Sequence, residues 1–327
     1  MKTKIKITTA LLGATIIATG LVSAATPSTI ITIVKLSGIA WFDRMEQGVK
    51  RYASDTGAAA SQVGAAKGDV QLQVQLIEDT IAKKPTAIAV VPLSPEAVEP
   101  VLKKAADAGI VVVTHEASSI QNASYDIEAF KNADYGVHLM DSLAKCMGEE
   151  GQYATFVGSL TSKTHNEWVD AAVARQKEKY PKMEMVGSKN ESNDDEGKAH
   201  DKALELLRTY PKLKGFQGSS SLDVPGIGRA VEERNLQGKL CVFGTGLPSN
   251  TKQYLDSGAI NQISFWDPAD AGYAMNKVAQ MVIDGKKIAT GDDLGIPGYN
   301  KVTLDGKVIY GQAWVDVTKD NAAKYPF

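Results

Sequence analysis

The feature that most constrains this chain is the alternation of short, wholly apolar runs with longer amphipathic ones. Ala87 to Val91 is continuously apolar and stops at Pro92, and Ile110 to Val113 is a second such run. A strand that is apolar on both faces must be covered on both, and intervening helices supply the cover. That pattern predicts a parallel sheet inside an α/β layer structure. The flanking segments read as those helices. Phe42, Met45, Val49 and Tyr52 share one face ahead of Gly57, and Val70, Val74, Ile77 and Ile81 share another behind a capping Asp69. Pro95 opens a third helix, where its missing N–H costs nothing, and Gly109 stops it. Ile30 to Leu36 supplies the first strand.

The rhythm then restarts. Strands are expected at 125–127, 153–157, 183–186, 213–217, 240–243 and 260–266. Helices are expected at 132–147, 168–180, 194–210, 223–234, 251–255 and 269–283, and a β-hairpin over 301–315 turning at Asp305-Gly306. The reading is two doubly wound, Rossmann-like parallel-sheet lobes joined by a hinge of several segments. Lobe 1 is expected to hold residues 25–121 plus about 268–291, and lobe 2 residues 122–267 plus about 292–327, with crossings near Gln121, Asp267 and Gly291. A length of 327 residues suits two domains.

Residues 1–24 read as an address rather than a fold. Lys2, Lys4 and Lys6 precede an uncharged apolar run from Leu11 to Val22, with small residues at Val22-Ser23-Ala24. The run is shorter than the ~20 residues of a membrane span. A cleaved secretory signal is therefore expected, leaving a mature chain from near Ala25 with about 303 residues and a net charge of about −5. No cysteine stands at the cut to take a lipid. The expected location is a bacterial periplasm, where little ATP is available to a kinase. The whole chain has a net charge of −2, so it offers no basic field to nucleic acid. Its two cysteines, Cys146 and Cys241, cannot build a disulfide framework or a cysteine zinc site, and whether they pair is open.

No catalytic set emerges. The histidines at 115, 138, 165 and 200 form no H-E-x-x-H, and neither a nucleophile elbow nor a phosphate-binding P-loop is present. Gly226-Ile227-Gly228 lacks the third glycine of a dinucleotide fingerprint. Asn193, Asp195 and Gly197 echo a calcium loop, but no glutamate follows at the required spacing, and a capped helix start explains them better. No cofactor, catalytic residue or metal ligand is assigned.

Polar and aromatic residues at strand ends stand out instead, because ligands of doubly wound sheets bind beyond the carboxyl ends of the strands. Lys35 follows the first strand, with Trp41 and Phe42 just beyond. Glu116 ends the strand from Ile110. Thr164, His165 and Asn166 follow the strand ending at Val157, Asp223 and Pro225 follow another, and Trp266 with Asp267 ends the strand from Ile260. Charged groups beside aromatic rings suit a sugar, whose hydroxyls want charge-assisted hydrogen bonds and whose ring face wants an aromatic platform. As cleft-facing side chains at strand ends, Lys35 and Glu116 are expected to bind ligand while contributing little to the core.

These features together resemble a type I periplasmic binding protein of an ABC transporter, of the ribose-binding class. The resemblance covers essentially the whole mature chain. Ile33-Val34-Lys35-Leu36-Ser37-Gly38 through Phe42, Asn166-Glu167-Trp168-Val169, Phe265-Trp266-Asp267, and Thr318-Lys319-Asp320-Asn321 with Lys324-Tyr325-Pro326-Phe327 are similar to the autoinducer 2 and rhamnose binding proteins. Autoinducer 2 receptors keep the lysine seen here as Lys35 but place an aspartate at Glu116, and an aspartate and a glutamine at about Thr164 and His165. Their proline matches Pro225, while the small residue two positions on is Ile227 here. The resemblance implies a monomeric receptor without enzymatic activity that delivers a small sugar or polyol to a membrane permease. Its alternatives are an autoinducer 2 receptor and a chemosensory sugar receptor that also feeds a chemoreceptor.

Overall fold

A computed structural model describes residues 28–327; the expected leader at 1–24 lies outside the described residues. The chain runs β1 (Thr29–Val34), α1 (Ala40–Thr56), β2 (Ala59–Gly64), α2 (Val70–Ala82), β3 (Ala87–Val90), α3 (Pro95–Asp107), β4 (Val111–His115) and β5 (Tyr125–Glu128). It continues α4 (Asn132–Met147), β6 (Glu150–Val157), α5 (Lys163–Lys179), β7 (Lys182–Met185), β8 (Asn190–Glu191), α6 (Glu196–Thr209), β9 (Leu213–Gly218), α7 (Asp223–Glu233) and β10 (Cys241–Thr245). The last elements are α8 (Pro248–Ser257), β11 (Gln262–Phe265), α9 (Pro268–Ile283), β12 (Thr303–Asp305), β13 (Val308–Tyr310) and β14 (Val315–Val317).

The strands form two sheets with the same winding. The first runs β2-β1-β3-β4-β5 and the second β7-β6-β9-β10-β11, all parallel. All four residues of β3 are buried, as a doubly covered central strand requires. Local chemistry sets the helix starts. The Asp69 carboxylate accepts from the backbone N–H of Gln71 at 2.9 Å and of Leu72 at 3.1 Å, opening α2. Asp195 does the same for α6 through Lys198 N at 2.8 Å. Strand β2, Ala-Ala-Ser-Gln-Val-Gly, was not expected: it is an edge strand, only partly buried, and carries no apolar run.

The lobe boundaries differ from the expected ones. The polar stretch at Gln121 is a loop within the first lobe, because β5 continues that sheet with Thr114 opposite Asp126. The first crossing is therefore at Ala129–Lys131. The second is at Trp266–Asp267, between β11 of the second sheet and α9. The third is at Gly311–Trp314 rather than near Gly291. The hairpin β12–β13, with Gly306 in its turn at φ 59°, pairs in parallel with β5 and belongs to the first lobe, not to the second as expected for 292–327. Only β14 returns to the second sheet, antiparallel to β11. The crossings are tied to one another: Gly311 N donates to Glu128 O at 2.9 Å and Ala313 N to Ala129 O at 3.0 Å.

Each crossing also carries one large ring. Phe130 meets Trp266 and Trp314 edge to face, each at 5.2 Å between centres. Cys146 at the end of α4 is disulfide-bonded to Cys241 at the start of β10, pinning a covering helix to the second sheet.

Candidate functional site

The carboxyl ends of the two sheets face each other across a shared cavity. Six of the expected residues meet there: Lys35, Trp41, Phe42, Glu116, His165 and Trp266. Lys35 extends from the end of β1 and Glu116 follows β4, where its backbone takes the left-handed region at φ 58°. The two side chains form a buried ion pair, Lys35 Nζ donating to Glu116 Oε2, each about 5% exposed. Burial works against both charges, yet each stabilises the other. The Lys35 pKa is raised, because Glu116, with Asp194 in support, outweighs the desolvation. Burial alone would raise the Glu116 pKa, but the Lys35 ammonium brings it down to about 2.

The second lobe contributes His165 from the first turn of α5. The backbone N–H of Gly158 donates to its Nδ1 at 3.1 Å, which assigns the ring proton to Nε2. Burial and the nearby Lys35 lower its pKa to about 4, so at neutral pH His165 is an uncharged ring with Nε2–H as a donor. Trp41, Trp266 and Trp168 wall the cavity from α1, the second crossing and α5. Trp266 lies 4.7 Å from Trp41 and 5.8 Å from Trp168, both edge to face. Trp168 is held by its indole N–H donating to Asn132 Oδ1 at 2.8 Å.

Four expected residues lie outside the lining. Only the face of α5 bearing His165 and Trp168 turns inward, and each helical step rotates a side chain by roughly 100°. Thr164 is buried beside that face. Asn166 folds back on its own loop, donating to Ser162 O at 2.7 Å and Ser159 O at 3.1 Å. Pro225 is packed inside α7. Asp267 caps α9 through Ala269 N at 2.8 Å and pairs with Arg44.

The sequence reading did not single out Ile39, Trp168, Asp194, Ser219, Ser220, Ser221 and Thr245, which complete the lining. The serines follow β9 at its carboxyl end, the position rule that found Lys35, and could have been found the same way. Asp223 fixes their loop: its Oδ2 accepts from Ser219 N at 3.0 Å and Ser220 N at 2.8 Å. Burial raises the Asp223 pKa to about 7. Ser219 Oγ and Trp266 Nε1 are buried with no hydrogen-bond partner among the described residues. Two carboxylates, a lysine, hydroxyls and indoles around one cavity can grip a compact polyhydroxylated molecule by charge-assisted hydrogen bonds and ring stacking.

Two equally wound lobes, three crossings and a polar, aromatic-walled cavity between them define a type I two-lobed binding protein. The chain belongs to the periplasmic binding protein domain family, whose model matches residues 30–287. It is 25% identical over 266 residues to the D-allose-binding periplasmic protein of Escherichia coli (strain K12), covering 79% of this chain and 84% of that one. It is similar in structure to LsrB from Clostridium saccharobutylicum in complex with AI-2, at 23% identity and a TM-score of 0.84 over 91% of this chain and 100% of that one. An ABC transporter solute binding protein from Clostridium phytofermentas with bound L-rhamnose matches at 21% identity and a TM-score of 0.84, covering 92% and 98% of the two chains.

Proposed function

We propose that this protein is an exported periplasmic receptor that captures a small sugar or polyol between its lobes and hands it to an ABC permease, with no chemistry of its own. The observation that carries the reading is the buried Lys35–Glu116 pair beside three indoles, in a cavity walled from both lobes. A buried ion pair at strand ends is costly to maintain for stability alone. Here its free lone pairs and protons border a space suited to hydroxyl groups. The leader-like segment at 1–24 and the allose-binding relative support export and a sugar ligand.

A second reading, an autoinducer 2 receptor, is favoured by the structural likeness to LsrB. Against it stand Glu116 and His165 in the cavity lining, at positions where the autoinducer 2 receptors that this chain resembles carry an aspartate and a glutamine. A thermal-shift screen over aldoses, deoxy sugars, polyols and autoinducer 2 separates the readings. A true ligand at 100 times its Kd adds about 2.7 kcal/mol of stability. Stabilisation by autoinducer 2 alone would select the second reading, and stabilisation by none of them would remove both.

A further inference from the structure

Among the described residues, Asp194 is the one charged residue of the cavity lining that makes no ion pair. Lys35 and Glu116 already neutralise each other, and His165 is uncharged. The position of Asp194 is built rather than incidental. Asn193 and Asp194 both take left-handed backbone, at φ 57° and 50°, which non-glycine residues seldom do in succession. The Ser220 hydroxyl donates to Asp194 Oδ1 at 2.6 Å, in the loop that Asp223 fixes. Gly158 makes room: a Cβ there would stand 2.2 Å from Asp194 Oδ1. The carboxylate thus faces Lys35 from the opposite lobe, and the cavity lining carries one more negative than positive charge.

We infer that Asp194 is a charge filter: it makes the cavity reject sugars bearing a carboxylate or phosphate and admit uncharged sugars and those bearing a protonated amine. The inference rests on the small-sugar reading and sharpens it. A lysine at the base of a cleft would ordinarily invite an anion. Here Glu116 and Asp194 bracket that lysine from both lobes, so an anionic substituent meets like charge in a site with little water to screen it. An ammonium instead finds a carboxylate, three serine hydroxyls and indole faces.

The test measures binding by thermal shift and then calorimetry at pH 7. The panel contains neutral sugars and polyols, the hexosamines, the uronic and aldonic acids, and sugar phosphates. The expected result is that the tightest binders are neutral or amino sugars, with each acid at least about tenfold weaker than its neutral parent. Asp194→Asn keeps an acceptor for Ser220 and removes only the charge, so it should narrow that gap at least about fivefold. Asp170→Asn, which removes an exposed carboxylate of α5 outside the cavity, should leave the ranking in place. An acid or phosphate that binds wild type as tightly as its neutral parent overturns the filter, and so does a ranking that Asp194→Asn leaves unchanged. If no compound of the panel binds, the small-sugar reading falls, and the filter with it.

Discussion

Arg44 holds its guanidinium 3.9 Å from the centre of the Phe327 ring while donating to both carboxylate oxygens of Asp267, at 2.9 and 2.5 Å. Arg44 belongs to α1 of the first lobe. Phe327 packs on the second, against Phe265 at 5.8 Å and through its carbonyl to Ser249 N at 3.0 Å. One side chain therefore ties the first lobe, the second crossing and the far lobe together, outside the cavity. A partly buried cation–π contact contributes about 0.5–2 kcal/mol. Phe327→Leu is expected to weaken ligand binding about three- to tenfold while leaving the cavity residues untouched. Scattering on the variant without ligand should show a larger radius than wild type. An unchanged radius and affinity would mean that this contact does not hold the lobes together.

The Lys35–Glu116 pair is buried deeply enough to reverse what strand-end position alone suggests about folding. Removing one partner leaves the other as an uncompensated buried charge, at a cost of about 3–5 kcal/mol. Lys35→Met and Glu116→Gln should each lower the urea midpoint markedly. The double variant should lose far less than the sum of the two. Additive losses in the urea cycle would show that the two charges do not depend on each other.

Stability should fall as pH rises from about 4 to about 7 in the part that Asp223 governs. Its folded pKa is raised to about 7 by burial, so the folded protein keeps a proton that the unfolded chain releases near its ordinary carboxylate range. The unfolded state then binds fewer protons over that window, and the slope of stability with pH is negative. Glu116 acts in the opposite sense, losing its contribution as pH falls below about 4.5 toward about 2. Asp223→Asn keeps an acceptor for the serine loop and should flatten the fall in Tm between pH 4 and 7. A slope identical to wild type would remove Asp223 from the account.

The Cys146–Cys241 bond spans 95 residues and joins the end of α4 to the amino end of β10, on the side of the second sheet away from the cavity. Closing a loop of that length restricts the unfolded chain, worth about 2–5 kcal/mol. Cys146→Ser with Cys241→Ser should lower stability by that order and leave ligand affinity within about twofold of wild type. A large loss of affinity in calorimetry would mean that the bond shapes the cavity after all.

The sequence carried much of this architecture because the winding is written in local patterns. Ala87 to Val91 cannot be other than a covered strand, and Pro95 and Asp69 start helices by chemistry confined to one turn. Lys35, Glu116 and Trp266 could be read as cavity residues because position at a strand end is also local. What was not legible depends on pairing at a distance. Nothing in Tyr-Asp-Ile-Glu at 125–128 tells which sheet it joins, so the first crossing was set too early. The register of β13 against β5, which returns the hairpin to the first lobe, is likewise tertiary. Thr164 and Asn166 failed by one helical step to either side of His165. Asp194 was hidden because its neighbours look like a helix cap, and they are one: the cap belongs to Asp195, and the loop before it turns Asp194 inward.

Trp266 is at once a wall of the cavity and one of the three rings at the crossings. An occupant pressing on that indole therefore leans on Phe130, and Phe130 on the partly buried Trp314. Bending and recognition share the same few side chains. A change of ligand preference made by trimming Trp266 would alter how far and how readily the two halves swing, so this molecule cannot easily be retuned for a new cargo without also being retuned as a machine.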